Sequence, residues 1–105
     1  MLGLAGYTSL RDYSFHQRQF ETSAWKQGAM RIRGEMVESL RGQSLLHGKT
    51  REDVLALLGK PDEDHEGLLR YRIDVGRRIA WRPFLVTLVV EFDGNMRFYR
   101  ADVVD

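Results

Sequence analysis

Residues 48–62, GKTREDVLALLGKPD, carry a start signal, an apolar face and a stop signal in one short stretch, which together specify a short capped helix. Thr50 is placed to accept from the backbone N–H of Asp53 while the Asp53 carboxylate returns to the N–H of Thr50, a capping box in its Asp variant. Val54, Leu57 and Leu58 then recur at i, i+3 and i+4, and Gly59 followed by Pro61 supplies a left-handed end and a block. A helix of about two turns is shorter than the roughly 12 to 15 residues at which isolated helices become marginal in water, so it needs a surface to pack on.

On the N-terminal side, Trp25, Ala29, Ile32, Met36, Val37 and Leu40 fit a 3.6-residue period. They predict a first helix from about residue 29 to about residue 41, with Gly28 and Gly34 each costing about 1 kcal/mol relative to Ala if internal. Residues 1–24 show no sustained period but hold Tyr7, Leu10, Tyr13, Phe15 and Phe20, and are expected to form an arm that docks on the domain of residues 25–105. On the C-terminal side, residues 62–66 read as an acidic loop. Leu69, Tyr71, Ile73 and Val75 alternate with charged residues as in a half-buried strand.

Residues 76–83 read as a loop, and residues 84–92 as the strongest strand, with Val86, Leu88, Val90 and Phe92 on one face and Leu85, Thr87, Val89 and Glu91 on the other. Asp93-Gly94-Asn95 signals a hairpin, returning as a strand over residues 96–104. The expected fold is α+β, with two helices packed on one face of a three-stranded antiparallel sheet in the order ααβββ. Only one face of that sheet can meet the helices. The other, carrying Leu85 and Val89, is expected to be covered by the arm of residues 7–20 or by a second copy of the chain across a two-fold axis.

A chain of 105 residues supports one core without staples, and the absence of cysteine excludes disulfides, thiolate metal sites and a cysteine nucleophile. A net charge of +1 with mixed signs argues against a dedicated nucleic-acid or membrane-surface protein. No apolar run is long enough for a membrane span and residues 1–7 lack the basic start of a signal peptide, so the chain as written is expected to be soluble. Leu4, Ala5 and Gly6 imitate the end of a lipoprotein signal, with Tyr7 where the acylated cysteine would stand.

Several patterns imitate chemical sites and fail in register. Gly48-Lys49-Thr50 ends like a phosphate-binding loop, but Gln43 stands where its first glycine belongs. Asp62, Asp64, Glu66 and Gly67 match positions 1, 3, 5 and 6 of a calcium loop, yet position 12 is Ile73. His16, His47 and His65 lack metal-ligand spacing, and no serine sits in a nucleophile elbow. No catalytic residue, metal or cofactor is assigned. The candidate contact residues are Arg77, Arg78, Trp81 and Arg82, since Trp and Arg dominate interface hot spots, together with Leu85 and Val89 on the second sheet face.

The pattern carried by Gly48, Thr50, Val54, Leu58, Gly59 and Pro61, with the later Phe92-Asp93-Gly94 hairpin, resembles the SmpA/OmlA (BamE-like) family of small bacterial envelope proteins and, more broadly, domains with the fold of the β-lactamase inhibitor proteins. With Phe20 and Trp25 ahead of the first helix included, the stretch looks even more like a set of uncharacterised bacterial proteins with this domain. The resemblance covers about residues 36–104 and implies two helices against a three-stranded sheet, no enzymatic activity, and binding to other proteins, often at the cell envelope. This chain departs from the family in lacking the lipoprotein cysteine. The expected function is therefore a non-catalytic protein-interaction domain. The competing expectation is a small single-stranded nucleic-acid binder, using Arg70, Arg72, Arg97 and Arg100 beside Tyr71, Phe98 and Tyr99.

Overall fold

The computed structural model describes residues 16–65 and 67–105. Three helices, α1 (Thr22–Lys26), α2 (Met30–Gly42) and α3 (Arg51–Leu58), precede six strands: β1 (Glu63–His65), β2 (Leu68–Ile73), β3 (Arg78–Ile79), β4 (Arg82–Pro83), β5 (Val86–Phe92) and β6 (Phe98–Val104). The main sheet is antiparallel with order β1-β2-β5-β6, and β3 and β4 form a separate two-stranded ribbon. The α+β class stands as expected, but a fourth strand joins the sheet and a third helix joins the layer.

Both additions have physical reasons. Glu63, Asp64 and His65 are all exposed, so no apolar alternation betrays β1. Its pairing to β2 is backbone-driven, and Glu63 faces Arg70 in register with their side chains 3.7 Å apart. A short charged strand is a common way of closing a sheet edge. Trp25 belongs to α1 rather than to α2, yet it still enters the core with no exposure. Arg33 explains that placement: its Nε donates to the Trp25 carbonyl at 2.9 Å, and its guanidinium lies 5.5 Å from the Trp25 and Tyr71 ring centres. Burial lowers the Arg33 pKa from its ordinary value, with Asp62 opposing that shift.

The capped helix forms as its residues dictate. Thr50 Oγ1 accepts from Asp53 N–H at 3.1 Å and Asp53 Oδ2 accepts from Thr50 N–H at 3.2 Å. These bonds hold the exposed Asp53 carboxyl below its ordinary pKa. Gly59 ends the helix at φ 76°, a left-handed position that a side chain would strain, and its carbonyl accepts from the Tyr71 hydroxyl at 2.8 Å. The helix start is tied to the sheet, because Arg51 N–H donates to the Met96 carbonyl at 2.9 Å and Phe98 N–H to the Lys49 carbonyl at 2.8 Å. Val54 and Leu58 are thereby driven into the cluster of Met36, Leu40, Tyr71, Leu88 and Val90.

Gly34 is required by close approach rather than by conformation. A Cβ there would lie 1.8 Å from the Asp74 carbonyl oxygen, so α2 presses its bare backbone onto the end of β2, and Asp74 N–H donates to the Met30 carbonyl at 3.0 Å. On α2, the Gln17 amide donates to the Gly34 carbonyl at 2.7 Å and accepts from Glu38 N–H at 3.1 Å, while Arg18 N–H donates to the Glu35 carbonyl at 2.7 Å. Phe20 packs on the core beside Trp25, ring centres 5.8 Å apart. The described part of the arm thus lies on the helix layer and not over the second sheet face. Tyr7, Leu10, Tyr13 and Phe15 lie outside the described residues.

Candidate functional site

Alternation along the strands sorts every candidate side chain. In register, Leu69, Tyr71 and Ile73 of β2 meet Val90, Leu88 and Val86 of β5 on the core face. The outer face consequently receives Leu68, Arg70 and Arg72 from β2, Thr87, Val89 and Glu91 from β5, and Arg100, Asp102 and Val104 from β6. Val89 stands between Arg70 and Asp102 and is only 7% exposed, whereas Leu85 is 37% exposed. The two residues therefore do not form one open patch. Leu85 instead immediately precedes β5, and at that end of the sheet Val104 faces Thr87 from one side and Arg72 faces it from the other.

The loop of residues 76–83 is an ordered arm. Arg78 pairs with Pro83 and Ile79 with Arg82, leaving Ala80 and Trp81 as the turn, with Ala80 at φ 56°. Its base is fixed by Phe84 N–H donating to the Arg77 carbonyl at 2.9 Å. Arg77 reaches Asp105 at 2.9 Å with its guanidinium 4.8 Å from the Phe84 ring centre, and Arg78 reaches Asp74 at 3.3 Å. At the tip, Trp81 is 82% exposed and Ile79 60%. The Arg82 guanidinium lies 5.4 Å from the Trp81 ring centre. The structure thus separates the candidates by role: Arg77 and Arg78 anchor the arm, Trp81 and Arg82 are presented by it, Leu85 lies just after it, and Val89 is in the body of the sheet.

Ile79 and Val104, which the sequence does not single out, join this end of the molecule, and so does Arg72, which the sequence offers only for the nucleic-acid reading. Ile79 carried a usable signal, being a large apolar residue between arginines in a predicted loop. Arg72 and Val104 become neighbours only through the register of three strands.

The same alternation distributes the residues of the nucleic-acid reading over both faces. Tyr71 is fully buried, and burial raises its pKa. Phe98 is half-buried beside His47, while Tyr99 is open. Arg100 holds Glu91 at 2.8 Å and Asp102 at 3.5 Å, which raises its pKa, and Arg97 donates to the Gly48 carbonyl at 3.1 Å. In the acidic stretch, Asp62 Oδ2 accepts from Arg72 N–H at 2.7 Å and Asp64 pairs with Arg51, so both carboxylates serve the fold. Among the described residues no group of three His, Asp or Glu is placed to hold a metal ion, and no helix is long and apolar enough to cross a membrane. Comparison with protein-family models, curated proteins and solved structures gives no match.

Proposed function

We propose that this chain is a non-catalytic protein-interaction domain whose contact element is the β3–β4 arm. The observation that carries the reading is Trp81, 82% exposed at the tip of a ribbon that stands outside the main sheet. Leaving a tryptophan in water forgoes burial of some 150–250 Å² of aromatic surface, and the arm is braced at its base by two arginine–aspartate pairs rather than folded back to hide the ring. Displaced protonation elsewhere has structural causes: a helix cap at Asp53, burial at Tyr71 and Arg33, an ion pair at Arg100. The resemblance to SmpA/OmlA proteins supports the same class and adds the bacterial cell envelope as the place of action.

The test is affinity capture from the native host with the full chain and with Trp81→Ala in parallel. A protein retained by the parent and lost with the variant, at equal melting temperature, is the expected result. Equal retention by both overturns the assignment of the arm.

A further inference from the structure

Among the described residues, nearly every arginine has a partner. Arg18, Arg31, Arg41, Arg51, Arg70, Arg77, Arg78 and Arg100 each face a carboxylate within 4 Å, and Arg33 and Arg97 donate to backbone carbonyls. Among the described residues, the side chains of Arg72 and Arg82 have neither kind of partner. Both belong to one end of the molecule. Arg72 lies on the outer face beside Thr87, near the start of β5, and Arg82 lies on the arm three residues before Leu85. The exposed apolar side chains Ile79, Trp81, Leu85 and Val104 belong to the same end.

We infer that this surface takes an acidic segment of a partner protein, its carboxylates meeting Arg72 and Arg82 and an apolar side chain meeting Trp81 and Leu85. The inference rests on the reading of the arm as the contact element and adds the chemistry of the partner. Arginine forks match carboxylates bidentately, and an unpaired guanidinium next to apolar surface is desolvated at least loss when the incoming surface brings its own anion. A long phosphate backbone would find few further partners here, because the neighbouring cations Arg70 and Arg100 are already paired with Glu63, Glu91 and Asp102. A nucleic-acid surface would also need several open rings in a row, and among the described residues this end offers Trp81 alone.

The test uses the full chain with two short peptides of identical leucine and phenylalanine content, one bearing glutamates and the other lysines, and with an oligothymidylate of similar length. Because Trp25 is buried, a shift of tryptophan emission to shorter wavelength reports Trp81. The glutamate peptide is expected to bind with that shift, more weakly at physiological than at low salt, and about tenfold more weakly to Arg72→Glu or Arg82→Glu. Arg72→Gln and Arg82→Gln, checked by thermal melting, guard against a folding defect. Equal binding of both peptides, binding of neither, preference for the oligothymidylate, or indifference to both arginine substitutions overturns the inference. If a Trp81-dependent host protein is captured through a segment that is not acidic, the inference fails while the proposed function survives. If capture ignores Trp81, both fail.

Discussion

Gly34→Ala should destabilise the protein although it sits inside a helix, where the same exchange ordinarily gains about 1 kcal/mol. The reason is the 1.8 Å that would separate the new Cβ from the Asp74 carbonyl oxygen, with the Asp74 carbonyl carbon at 2.5 Å. A carbon does not normally approach such an oxygen closer than about 3.3 Å, so α2 and the end of β2 would have to part by about 1.5 Å. That movement breaks the bond from Asp74 N–H to the Met30 carbonyl and loosens the packing of Met36 and Val37. Overpacking of this kind costs about 1–3 kcal/mol and a lost hydrogen bond about 1 more, which together outweigh the propensity gain by about 1–3 kcal/mol. In urea, with a slope of about 1.5 kcal/mol per molar, the midpoint should fall by about 1–2 M. Gly42→Ala is the control, since it ends the same helix and its Cβ would meet nothing within 4 Å. It should leave the midpoint unchanged or raise it. A rise for Gly34→Ala as well would refute the close approach.

Thr50→Ala should cost about 1 kcal/mol through the lost cap and Leu58→Ala about 2–5 kcal/mol through the cavity it leaves, so equal and negligible effects in the same titration would mean that α3 is not packed as described. Since the folded Asp53 carboxyl is held below its ordinary pKa of about 3.9, its contribution is present above that value and lost on acidification through the lower folded value. Asp53→Asn should flatten that part of the acid profile. Tyr71 shifts the other way: its stabilisation is complete below about pH 10 and lost as pH rises through the higher folded value, so the alkaline stability of Tyr71→Phe should fall less steeply than that of the parent. Arg41→Ala should free the Ala101 carbonyl at the edge of β6 and promote self-association, measured by sedimentation, whereas Arg70→Ala should not.

Those elements were legible in the sequence whose local signals and burial agree. Residues 48–62 state a cap, an apolar face and a stop, and each finds its counterpart in a hydrogen bond or a buried side chain of α3. The alternation of β2 and β5 likewise predicts their core face residue by residue. What stayed hidden depends on contacts distant in sequence. β1 is recruited by the backbone of β2 and has no apolar pattern, and Gly34 reads as a flaw until Asp74 is brought against it. For the site, composition points to the arm, but only the structure shows that Val89 is enclosed between Arg70 and Asp102 while Leu85, just before β5, stays exposed.

The two edges of the sheet disfavour strand addition as a mode of contact. β1 presents three charged or polar residues and is too short to template a strand. β6 is longer, but its outward carbonyl at Ala101 accepts from Arg41 Nε at 3.1 Å, and its outward N–H at Phe98 is taken by Lys49. Arg41 is itself held by Glu38 and Asp102, so a strand arriving at this edge must displace a guanidinium engaged on three sides. Backbone pairing is thereby discouraged at both ends of the sheet. The β3–β4 ribbon asks nothing comparable of a partner: Trp81 and Ile79 are already in water, Arg82 has no carboxylate to give up, and Arg77 and Arg78 hold the base without occupying the tip. An incoming protein would gain apolar burial and an ion pair there without first breaking one, and this difference in the cost of access supports the proposal that the arm is the contact.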